Sequence, residues 1–230
     1  KGALRHIEEY PLDPARNSLV IGILRTFTIE NLVDHLRLSF SIIPSSPTFV
    51  LGELENIEQE LLDVNSHFLR ANPDFILVLW RLEELYPILN SEADLMSHEQ
   101  RLDALDKLLN RIQQLVAEYQ GDVPLILSNF SIPEQWIGVI HDHHRQFGIA
   151  EIVNRLNQLL YELASQKKIK IFDFSQWLMS EGSEAIDQKM DLYARQPIST
   201  GKALSFTDAI ARVFKPMIFA QSKVLAVDLD

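Results

Sequence analysis

The sequence predicts an α/β protein, a three-layer α/β/α sandwich built on a mostly parallel, five-stranded sheet. Three observations lead there. Short apolar runs alternate with stretches of helical periodicity from residue 18 onward. One of the runs, Phe75-Ile76-Leu77-Val78-Leu79-Trp80, is so uniformly apolar that it must be covered on both faces. The 230 residues are 47% hydrophobic with only 8 Gly and 10 Pro, enough for one sizeable core with extensions and too ordered in composition for disorder.

Ser18–Leu24 reads as the first buried strand. Thr28 as an N-cap and Glu30 in the first turn open a helix whose apolar stripe is Ile29, Leu32, Val33, Leu36 and Phe40. Thr48–Leu51 is a short second strand, and Leu54–Arg70 a second helix carrying Leu54, Ile57, Leu61, Leu62 and Phe68. Pro73-Asp74 leads into the third strand, Phe75–Trp80. A long helix over Ser91–Tyr119 gathers Leu102, Leu105, Leu108, Leu109, Ile112 and Leu115 on one side. Gly121-Asp122 turns into the fourth strand, Val123–Asn129. Ile149–Ser165 is the next helix, with Ile152, Leu156, Leu159, Leu160 and Leu163 inward, and Lys168–Asp173 the fifth strand. Strand-then-helix units in series imply parallel pairing through right-handed crossovers.

Three regions follow. Residues 1–17 are polar and proline-bearing, an arm or linker. Residues 18–200 form the α/β domain, its last part (174–200) irregular. Residues 201–230 hold a last helix, over 202–221, that joins this domain to the next through a terminal strand. The chain begins at Lys1 and not at Met, so the expectation is a piece of something longer.

Composition removes several function classes. A net charge of -11 argues against a nucleic-acid footprint and against a broadly basic membrane face. With no cysteine there is no disulfide, thiolate–zinc site or cysteine nucleophile in these residues. No stretch approaches the roughly 18 apolar residues of a membrane span, and no charged leader precedes an apolar segment. The expected location is the cytoplasm.

The chemistry-bearing residues cluster at two places. Val224–Val227 delivers Asp228 and Asp230 at i and i+2, on one side of an extended segment. One carboxylate there suits nucleophilic attack on phosphorus and the other proton transfer, and the pair suits Mg²⁺. The second place is the carboxyl end of the sheet, where open parallel sheets hold ligands. Arg25, Thr26 and Thr28 follow the first strand, Arg81, Glu83 and Glu84 the third, Asn129 the fourth and Asp173 the fifth. Arg25, Thr28, Arg81 and Asn129 together suit a carboxylate or phosphate. Pairing of the arginines with Glu30, Glu83 or Glu84 is the competing reading.

Taken in order, several segments resemble the N-terminal SGNH-hydrolase-like region of FkbH-type proteins. They are Gly22–Leu32, Asn72-Pro73-Asp74, Asn157–Leu160, Asp187–Pro197 and Lys223–Asp230. The resemblance implies an SGNH-like, flavodoxin-like domain followed by a phosphatase of the haloacid-dehalogenase (HAD) type. It implies an enzyme of polyketide biosynthesis that dephosphorylates 1,3-bisphosphoglycerate and loads the glyceryl group on the phosphopantetheine arm of an acyl carrier protein. Asp228 matches the phosphatase nucleophile and Mg ligand, and Asp230 the acid/base and second ligand. Partners implied are the carrier protein, a phosphorylated three-carbon acid and the HAD domain, with no cofactor held by the present residues themselves.

The SGNH pattern itself is degenerate. Its Gly-Asp-Ser falls on Leu24-Arg25-Thr26, its Gly-x-Asn-Asp on Trp80–Glu83, and its Asp-x-x-His on Asp187–Met190, which has no histidine. A hydroxyl without a base is a weak nucleophile, so the expectation is a non-hydrolytic domain that binds substrate or carrier arm. Two alternatives stand beside it: an esterase in which His141 or His144 activates Thr26 or a neighbouring serine, and a pure carrier-docking module. An acidic chain meets an acidic carrier poorly, and Lys167, Lys168, Lys170, Arg195 and Lys202 are its modest basic clusters. His141-Asp142-His143-His144 reads as a polar turn, with a metal site as the alternative.

Overall fold

The apolar runs become five strands: β1 (Ser18–Arg25), β2 (Ser46–Leu54), β3 (Phe75–Leu79), β4 (Leu125–Ser128) and β5 (Lys170–Phe172). In the computed structural model, which describes residues 18–41, 46–133, 136 and 140–218, they pair in the order β2-β1-β3-β4-β5. Every pairing is parallel. That order is the flavodoxin-like one, with the change of direction between β1 and β3. The predicted α/β/α sandwich is the observed architecture. The terminal strand with Asp228 and Asp230, and the arm 1–17, lie outside the described residues.

Seven helices of six or more residues are described: α1 (Val33–Phe40), α2 (Ile57–Leu62), α3 (His98–Glu118), α4 (Ile149–Ser165), α5 (Phe174–Glu181), α6 (Gln188–Ala194) and α7 (Ala203–Ile218). They cover both faces of the sheet. Ile76, Val78 and Trp80 enter one core with α3 and α4, while Leu77 and Leu79 enter the other with α1 and α7. Strict alternation of side chains, both sides dry, is why this run is apolar at every position.

Four segments differ from the sequence expectation. The helix over Leu54–Arg70 is two pieces, α2 and His67–Arg70, because Asp63 folds back on Asn65 N (2.8 Å) and Ser66 caps a new start through Leu69 N (3.1 Å). The long helix starts at His98, where Ser97 and Gln100 form a reciprocal capping box. Residues 174–200 are not irregular: Asp173 caps α5 and Asp187 caps α6. Finally, the helix expected to bridge onward after residue 200 is built into the second core. Phe206 and Phe214 of α7 are fully buried, and Phe214 meets Phe40 and Phe75 edge-on with centroids 5.5 Å apart. The packed unit therefore extends through Ile218.

Candidate functional site

Residues that follow β3, β4 and β5 at their carboxyl ends line a cleft of about 790 Å³. Its apolar walls come from Ile132, Pro133, Phe174, Leu178, Met179 and Ile186, and its polar lining includes Arg81, Glu83, Ser131, Ser175 and Asp191. β3 brings Arg81 to the floor, and the one-turn helix Leu82–Leu85 that follows places Glu83 and Glu84 beside it.

Arg81 is buried and multiply paired. Both terminal nitrogens donate to Oδ2 of Asp191 at 2.9 Å, one also to Glu83 at 3.1 Å, and Glu84 lies 3.5 Å away. Burial works against its charge, but the three carboxylates outweigh burial and hold the guanidinium protonated well above its ordinary range. One cation facing Glu83 and Asp191, with Glu84 behind it, leaves the floor net negative.

Thr26, in the place of the expected degenerate nucleophile, is 3% exposed. Its hydroxyl donates to Oε2 of Glu84 at 3.0 Å and accepts from Arg81 N at 3.3 Å. Burial, with Glu83 and Asp191 adding like charge, pushes the Glu84 carboxyl up to about 7 against the pull of Arg81 and Thr26. No described histidine bonds to Thr26. Asp142, in the middle of the histidine run, is instead buried and caps α4 by accepting from Ile149 N (2.6 Å) and Ala150 N (2.9 Å). Among the described residues no cluster of three His, Asp or Glu side chains is arranged to hold a metal.

Of the four residues expected to bind an anion, only Arg81 lines the cleft. Arg25 is turned toward β2, donating to Gly52 O and Glu30. Asn129 is taken up by Asp173 Oδ1 (2.7 Å) and by Ser175 N, which donates to it at 2.9 Å. Thr28 does not cap the first helix: its hydroxyl donates to Ala194 O at 2.9 Å and its N–H to Arg195 O at 2.7 Å. Pairing with acids, the competing reading of the arginines, describes both of them.

Two contributors were missed. Asp191 arrives from 110 residues away, and sequence spacing carries no sign of that meeting. The apolar wall from α5 was hidden by reading 174–200 as irregular, although Asp173 ahead of Phe174-Ser175-Gln176-Trp177 is a recognisable helix start.

No family model matches the sequence, and no curated protein matches it. Among solved structures, the fold is similar to the N-terminal part of the protein BF1531 from Bacteroides fragilis, containing a phosphatase domain and complexed with Mg. The TM-score is 0.79 at 13% identity, over 94% of this chain and 56% of that one. The chain thus spans little more than half the length of that structure. It is also similar to the acetyl xylan esterase AlAXEase, with a TM-score of 0.52 at 10% identity over 85% of this chain and 99% of that one. At these identities the likeness is one of fold.

Proposed function

We propose that the chain is an SGNH-hydrolase-like domain of an FkbH-type protein that has given up hydrolysis and binds the neutral, amide-bearing arm of a carrier protein. The observation that carries this reading is the state of the hydrolase centre. Thr26 is buried, its hydroxyl is bonded to a carboxyl titrating near 7, and no described histidine stands beside it. A nucleophile that substrate does not reach, without imidazole to accept its proton, is not a working hydrolase centre.

The cleft favours the pantetheine arm over the phosphorylated acid. Glu83 and Asp191, which line the cleft with Arg81, together outweigh its charge and disfavour an anion, whereas an apolar wall edged with serine hydroxyls suits a chain of methylenes and amides. In the same reading, Asp228 and Asp230 belong to a following Mg-dependent HAD phosphatase domain, which supplies the dephosphorylation that precedes glyceryl loading.

Calorimetric titration with pantetheine and, separately, with 3-phosphoglycerate tests this, alongside hydrolysis of short acyl esters. Pantetheine binding without phosphoglycerate binding or turnover is the expected result. Ester hydrolysis that disappears in Thr26→Ala would instead make Thr26 and Glu84 an acyl-transfer pair, and would overturn the non-hydrolytic reading.

A further inference from the structure

We propose that residues 187–197 form a strap over the cleft, latched by the Arg81–Asp191 ion pair, whose release admits the ligand. The nature of that ligand rests on the functional reading above; the latch does not. The strap is closed at its base by the antiparallel bridge Ile186–Ile198 and by Asp187 N donating to Pro197 O at 2.8 Å. Between these ends lies α6, none of whose side chains is buried; Leu192 and Tyr193 are 80% and 77% exposed. Apolar packing therefore does not hold α6 down. Its ties to the body include the Arg81–Asp191 pair, the Thr28 bonds to Ala194 O and Arg195 O, and the Arg195–Glu55 ion pair. Asp191 and Gln188 on this element line the cleft, so lifting it changes the cleft's own wall.

The latch is built to open at small cost. A buried arginine stripped of its partner is strongly destabilising, and that penalty normally locks such a pair. Here Glu83 at 3.1 Å and Glu84 at 3.5 Å remain on Arg81 after Asp191 leaves, so the guanidinium stays paired in the open state. Asp191, with its side chain 24% exposed, moves toward water. Two arrangements close in free energy are what a bistable cover requires.

Amide hydrogen exchange on the full chain tests the latch without ligand. In Asp191→Asn, exchange across residues 188–195 is expected to quicken about tenfold, the loss of one charge-assisted pair, with β3 and α3 unchanged. Asp191→Glu, which keeps the carboxylate, is expected to restore protection. Unchanged exchange in the strap overturns the proposal, as does acceleration spread equally over β3 and α3. Pantetheine is expected to associate faster with Asp191→Asn than with the parent. A strap that loosens while neither protein binds pantetheine leaves the latch standing and overturns the ligand assignment.

Discussion

Glu84→Gln is the substitution that most directly exposes the electrostatics beneath the cleft. Glutamine keeps the volume and still accepts the Thr26 hydroxyl proton, but it does not titrate. Desolvation first, then Glu83 and Asp191, raise the folded Glu84 carboxyl from an ordinary 4.5 to about 7. Between those values the folded chain keeps a proton that the unfolded chain has lost. The resulting stability is complete below about 4.5 and is lost as pH rises through 7, a full effect of about 3 kcal/mol. The parent should therefore lose about 2 kcal/mol relative to Glu84→Gln between about pH 5 and about pH 8, the central part of that range. Urea unfolding followed by far-ultraviolet circular dichroism, with equal m-values for both proteins, measures the difference. If the two stability curves run parallel within about 0.5 kcal/mol across this range, the buried carboxyl does not hold its proton and the reasoning fails.

Phe214→Ala removes a fully buried ring shared by α1, α7 and the sheet and should cost about 3–5 kcal/mol in chemical denaturation, whereas a helix that merely connected domains would lose little. Gly22→Ala places a methyl 2.4 Å from Cζ of the buried Phe68 ring and should cost about 1–3 kcal/mol by thermal melting. Asp142→Ala strips the cap from Ile149 N and Ala150 N and should destabilise by about 1–2 kcal/mol, with exchange quickening first at the start of α4.

The five strands were legible because a parallel sheet dry on both faces leaves nearly continuous apolar runs, as at Phe75–Leu79. The helix boundaries were less so, for local reasons. A long amphipathic stretch reads as one helix until Asp63 and Ser66 divert the backbone into a turn and a fresh start. The apolar stripe of α7 was visible, but periodicity names a buried face without naming what covers it, and that cover proved to be this domain's own β-sheet and α1. At the site, chain order correctly brought Arg81, Glu83 and Glu84 to one strand end. What it lacked was the partner. Whether a guanidinium waits for a ligand or is already satisfied depends on Asp191, carried in by a distant strap, and on the direction Arg25 turns within β1.

The two cores on either side of the sheet each contain an indole. Trp80 stacks on Phe130 and donates to Ser128 O at 2.7 Å, while Trp177 on the opposite face lies 4.7 Å from the Phe206 ring and donates to Ser205 Oγ at 3.1 Å. The molecule thereby carries a separate optical probe for each layer. The third indole, Trp136, packs on the Trp80 side, so replacing Trp177 by phenylalanine leaves emission from that face and replacing Trp80 and Trp136 together leaves Trp177 alone. Coincident melts then mark a single cooperative unit and split melts a seam running along the sheet.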